Sequence, residues 1–124
     1  MSLARWLILL GAITLFCGAI LHTIGYTFFI PVLIKNNLPT VYVNAVRSIW
    51  LTFAWDGIVL SVAFVWFSRV AGARKLVLLL ALVPLIDALL MYHFVGLFIG
   101  TYVVSTAAVL LLVGAWLLPR GYAS

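Results

Sequence analysis

The chain predicts an all-α fold: a polytopic integral membrane protein, built as a four-transmembrane-helix bundle with both termini in the cytoplasm. Three observations predict it. Of its 124 residues, 68% are hydrophobic and only 7% are charged, far from the composition of soluble globular domains. Four long apolar stretches can be read, about Trp6–Phe29, Val43–Phe67, Leu76–Phe94 and Phe98–Leu118. Each is close to or above the roughly 20 residues needed to cross hydrocarbon. Basic residues are uneven: Arg5, Arg69, Arg74, Lys75 and Arg120 fall on one side of a four-span chain, Lys35 and Arg47 on the other. The positive-inside bias puts the larger group in the cytoplasm. One domain over residues 1–124 is expected, almost wholly consumed by the crossings. The expected location is a bacterial inner (plasma) membrane.

The first span must be helical, because a crossing segment has to satisfy its own backbone groups. Thr14, Gly18, His22 and Tyr26 recur every fourth residue and predict a stripe on which another helix packs. The span is too long for a cleaved signal peptide and lacks a small-residue cleavage pattern. Cys17 is the single cysteine, which excludes an internal disulfide, a Cys-x-x-Cys pair and a structural zinc site. The connection that follows, Pro31 to Pro39 with Asn36 and Asn37 inside it, reads as a structured turn.

The second span carries Arg47, Trp50, Trp55, Asp56 and Trp66. Trp50 and Trp66 lie towards opposite ends, as aromatic belts prefer. Trp55 lies deeper, where an indole N–H needs a partner. Ser68 to Lys75 makes a short turn centred on Gly72. In the third span Pro84 removes a backbone donor three residues before Asp87, so a local kink is expected there. Gly96 and Gly100 bracket a tight turn into the fourth span, whose Thr101, Ser105 and Ala108 form a small, weakly polar stripe before Pro119 ends it.

Asp56 and Asp87 are the only acids. A carboxylate in hydrocarbon costs roughly 2.5–3.5 kcal/mol on insertion scales, so such residues face the bundle interior and mark a site. Helical rise puts both at roughly 16 Å from the cytoplasmic edge, near the midplane. His22, His93, Thr101 and Tyr102 stand at roughly 24–26 Å, and Arg47 at roughly 30 Å. Two polar tiers are thus expected, carboxylates below histidines with an arginine at the rim, opening outwards. The acids meet only if spans two and three are neighbours turned towards each other, which their short connection favours. Two such carboxylates do not both ionise cheaply and would share a proton.

The expected site therefore has Asp56, Asp87, His22 and His93 as acid/base groups. Tyr26, Arg47, Trp50, Trp55, Tyr92 and Thr101 are its ligand-binding residues. His22 and His93 are also open to two other readings, interfacial side chains or ligands to a haem or metal. No cofactor is predicted, and that haem or metal is the lesser option. The net charge of +5 is topological and meets anionic headgroups. With no folded basic surface, nucleic acid is excluded as a partner. Walker, Gly-x-Gly-x-x-Gly, His-Glu-x-x-His and Gly-x-Ser-x-Gly patterns are all missing from the sequence. The expected function is binding, with acid/base conversion open to it, of a small lipophilic or amphipathic molecule in an outer-half pocket. Two rivals stand beside it: a proton-coupled transporter acting as an oligomer, and an accessory subunit of a larger membrane complex.

Overall fold

The structure, a computed structural model, describes residues 2–119. Arg120, counted above among the cytoplasmic charges, lies outside the described residues. Those residues form four helices and no strand: α1 (Leu3–Lys35), α2 (Thr40–Phe67), α3 (Arg74–Val95) and α4 (Ile99–Leu117). All four are long and apolar enough to cross a membrane. The predicted all-α fold of four helices able to span a membrane is the observed one.

The main change in boundaries is at the first connection. α1 does not stop near Phe29 but continues through Pro31 to Lys35. A proline deletes a single i→i−4 bond, and the residues after it are again apolar, so the helix resumes. The connection contracts to Asn36–Pro39, with Asn37 at φ 55°, a left-handed conformation that asparagine tolerates. Rise per residue makes α1 about 50 Å long and α2 about 42 Å, against about 33 Å and 28 Å for α3 and α4.

The four helices share one end. There Arg5 Nε donates to the Ser68 carbonyl at 3.2 Å, and the Arg74 guanidinium lies 5.0 Å from the Trp116 ring centre. This end, which also carries Arg69 and Lys75, is called the basic end below. The α1–α2 hairpin consequently reaches well past the α3–α4 hairpin at the opposite end.

Around the bundle the order is α2, α1, α4, α3, with α1 against both α2 and α4 and α3 against α4. The fourth side is different: α2 and α3 touch only sparsely. In a membrane, apolar surface does not drive helices together, so close approach is set by small residues. Gly114 faces α1 so tightly that a Cβ there would stand 2.8 Å from Ile8 Cγ1 and 3.0 Å from the Ala4 carbonyl oxygen. Across the same seam a Cβ on Gly11 would stand 2.8 Å from Leu111 Cγ.

The α1 seam therefore runs along Ala4, Ile8, Gly11, Leu15 and Ala19, not along the predicted stripe. Thr14 needs no neighbouring helix, because its hydroxyl donates to the Leu10 carbonyl at 2.8 Å. Of that stripe, Gly18 still meets α4 closely, at Val103. On α4, Thr101 and Ala108 are buried as expected, joined by Val104, Ala107, Leu111 and Ala115. α3 runs as one helix through the buried Pro84.

The continuous core lies towards the basic end. Its buried members are Ala4 to Leu15 of α1, Phe64 of α2, Val77 and Ala81 of α3, and Ala107 to Leu118 of α4. All lie in the half of the helix nearest that end except Ala107, at the middle of α4, and Leu118, just past its last residue. Towards the hairpin end few buried residues join this core.

Candidate functional site

Helical phase decides where the two acids point. Leu60 and Phe67 follow Asp56 by four and eleven residues, within about 40° of its direction. Leu80 precedes Asp87 by seven residues, within about 20°. Leu60, Phe67 and Leu80 all pack on the core. The same sides of α2 and α3, a few turns higher, therefore bring Asp56 and Asp87 to the α2–α3 seam. The carboxylates stand close enough for the charge of Asp56 to act on Asp87.

Their depths agree as well, about 16 Å and 20 Å from the basic ends of their helices. Asp87 is half-buried and Asp56 exposed. Among the described residues neither carboxylate accepts a hydrogen bond. The short Ser68–Ala73 turn does join α2 to α3, but it holds them together only at the basic end. Contact between α2 and α3 is sparse, and helical phase places the pair on that seam.

The upper tier centres on His22. The Trp50 indole N–H donates to the His22 carbonyl at 2.6 Å, and the two rings stack with centres 4.3 Å apart and planes 15° from parallel. Phe53 closes a second side of the imidazole at 5.0 Å, and Phe29 stacks on the far side of Trp50 at 5.0 Å. Gly25 makes room: a Cβ there would stand 3.4 Å from Trp50 Cζ2. His22 Nε2 is buried with no hydrogen-bond partner among the described residues. Such an orphan costs on the order of 1–3 kcal/mol.

Other expected members fall elsewhere. Trp55 is 65% exposed. Five residues separate it from Trp50, about 140° round the helix, so only one of the two indoles can turn inwards, and it is Trp50. Tyr26 is half-buried on α1. Thr101 is buried, but its hydroxyl donates to the Gly96 carbonyl at 2.8 Å and so holds the α3–α4 turn. Tyr92 and His93 are exposed on α3, with His93 edge-on to Phe94 at 4.7 Å.

His22 therefore faces the α1–α2 seam, and His93 lies on a helix that does not pack against α1 to any extent. The two are not brought together as a pair of ligands. Among the described residues, no three of His, Cys, Asp and Glu form a metal-binding group.

Arg47 belongs to a separate feature. Its Nη1 donates to Asn44 Oδ1 at 3.4 Å, and it lines a cavity of about 400 Å³ at the hairpin end with Asn37, Thr40 and Asn44. Sequence reasoning passed over Asn44, although a residue three positions before an arginine shares its helix face. A second cavity, about 320 Å³ and apolar, lies between α1 and α2 nearer the basic end, beside Phe16, Ser61 and Trp66.

The chemistry available at the α2–α3 seam is that of two mid-depth carboxylates, neither accepting a hydrogen bond among the described residues. The imidazole of His22 lies on the α1–α2 seam instead. Such carboxylates hold a proton, a cation or a hydroxyl. No protein-family model matches the chain, and neither curated proteins nor solved structures give a match.

Proposed function

We propose that the protein binds a small lipophilic or amphipathic molecule bearing a cationic or hydroxylated group, in the opening between α2 and α3. Asp56 and Asp87 take that polar group, and their shared proton is the chemistry offered to the ligand. His22, its ring held by Trp50 and Phe53 and its Nε2 buried on the α1–α2 seam, packs above the acids and does not reach the ligand. Positive-inside bias orients the basic end to the cytoplasm of a plasma membrane, so the opening belongs to the outer half and is entered sideways from the lipid. The observation that carries the reading is the pair of acids, neither hydrogen-bonded among the described residues, on the one side of the bundle where neighbouring helices touch only sparsely. Mid-membrane carboxylates without partners are expensive and are kept for function.

The test is binding of lipophilic amines and alcohols to the purified, reconstituted protein. Saturable binding that is lost in both Asp56→Asn and Asp87→Asn supports the proposal. Binding unchanged in the double variant ends it.

A second reading draws on the exposure of Asp56 and the neighbouring Trp55 on one flank of α2. A helix of a second copy, or of another membrane subunit, would cover that flank and complete the seam. Proton-coupled transport by such an oligomer uses the same two acids. Its mark is solute uptake into proteoliposomes that depends on a proton gradient.

A further inference from the structure

The cavity in the α1–α2 hairpin holds chemistry that the acid pair does not use. Asn37, Thr40, Asn44 and Arg47 line it together with the apolar Ile34 and Leu38. Arg47 is its only charged side chain, and the chain has no acids beyond Asp56 and Asp87. Asp56 lies nine residues further along α2, about 13 Å down the axis and on the opposite face. No acid of α2 therefore neutralises the guanidinium.

Its hydrogen bonding is unfinished too. Asn44 takes one Nη1 proton, and Nε is buried without a partner among the described residues. A guanidinium offers five N–H donors in a planar fork that matches two oxygens of a phosphate. The first turn of α2, which begins beside the cavity, has no side-chain cap, so the positive end of its dipole adds to the same field.

Depth says where the anion comes from. Arg47 stands twenty residues from Phe67, about 30 Å along the helix, which is one thickness of hydrocarbon. If the basic end lies at one edge of the hydrocarbon, Arg47 lies at the other edge, where its long side chain reaches the lipid phosphates.

We propose that this cavity is a phosphate site that takes the headgroup of a phospholipid at that interface. Arg47 anchors the phosphate through its fork, and Asn37 and Asn44 bond the oxygens around it. The site is independent of the acid pair.

The test uses the full chain carrying Asp56→Asn and Asp87→Asn, so that the acid pair takes none of the probes, delipidated in dodecyl maltoside. It is titrated calorimetrically with dihexanoyl phosphatidylglycerol, dihexanoyl phosphatidylcholine, dihexanoylglycerol and inorganic phosphate. Both phospholipids are expected to bind, and the phosphate-free diacylglycerol is not. Arg47→Gln weakens the phospholipids about tenfold, the effect of losing one charge-assisted contact. Arg47→Lys restores only part of it, because the charge returns without the fork. Asn44→Ala has a smaller effect in the same direction.

Inorganic phosphate binding as tightly as the lipids would overturn the headgroup as the source. Equal binding of the diacylglycerol, or phospholipid binding indifferent to both Arg47→Gln and Asn44→Ala, would overturn the site. Should Arg47→Gln not fold, the comparison of phospholipid with diacylglycerol and the Asn44→Ala variant decide alone.

Discussion

Replacing Asp87 with asparagine separates a functional carboxylate from a structural one by the sign of its effect on stability. Among the described residues nothing donates to the Asp87 carboxylate, and its charged neighbour is another acid, Asp56. An aspartate at the centre of a membrane helix costs roughly 2.5–3.5 kcal/mol. Asp87 is half-buried and an amide is still polar, so Asp87→Asn should recover part of that, on the order of 1–2 kcal/mol. The bundle should become more stable as the ligand is lost. Asp56→Asn should stabilise too, and the double variant should gain less than the two singles together, because either change removes the mutual repulsion. Contacting charges show couplings of about 0.5–3 kcal/mol in such cycles. The assay is denaturant unfolding in mild detergent, run beside ligand binding. If Asp87→Asn loses 1 kcal/mol or so instead, the carboxylate is a tie between helices and the reasoning fails.

Three further outcomes follow from the packing. Gly114→Ala meets backbone atoms of Ala4 and Ile8 and should cost about 1–3 kcal/mol of stability, whereas Gly25→Ala meets only the edge of Trp50 and should stay within about 0.5 kcal/mol; thermal unfolding of the two side by side checks this. Trp50→Phe keeps the stack on His22 but deletes the N–H donor, and should cost about 0.6–1.7 kcal/mol, while the same change at the exposed Trp55 should have no measurable effect. In intact cells a membrane-impermeant maleimide should label Asn36→Cys and spare Ala71→Cys, both placed in a Cys17→Ser chain; the reverse pattern would invert the orientation given by the positive-inside bias.

The four helices were legible because length and hydropathy alone decide what crosses oil. Which face of each helix meets its neighbours was not. α1 is apolar almost all round, and in lipid apolarity does not distinguish a packing face from an exposed one. The decisive signals are a matter of size: Gly11 on α1 with Ala107 and Gly114 on α4, and Ala19 on α1 with Gly57 on α2. The four-residue stripe from Thr14 to Tyr26 mixed residues with different roles, a self-satisfied hydroxyl among them. Spacing also hid the choice between Trp50 and Trp55, which only the position of α1 settles.

The depths of the two acids could be read directly, since rise per residue is fixed. Their orientation needed the phase of Leu60, Phe67 and Leu80 against the core. The short α2–α3 turn promised adjacency along the whole length, yet α1 and α4 occupy the tight central seam and leave α2 and α3 joined mainly at one end. His22 and His93 matched in height but not in position round the bundle, which height alone cannot reveal.

The most direct measurement is a proximity test across the opening. In a Cys17→Ser chain, Asp56→Cys and Asp87→Cys are introduced together and treated in membranes with a short bifunctional maleimide. A control chain carries Val62→Cys and Leu89→Cys, which are 63% and 60% exposed and turned about 120–160° away from the acids on the same two helices. Facing carboxylates across one open seam predict an intramolecular cross-link in the first chain and none in the control. No cross-link between positions 56 and 87, or equal cross-linking in both chains, would contradict it.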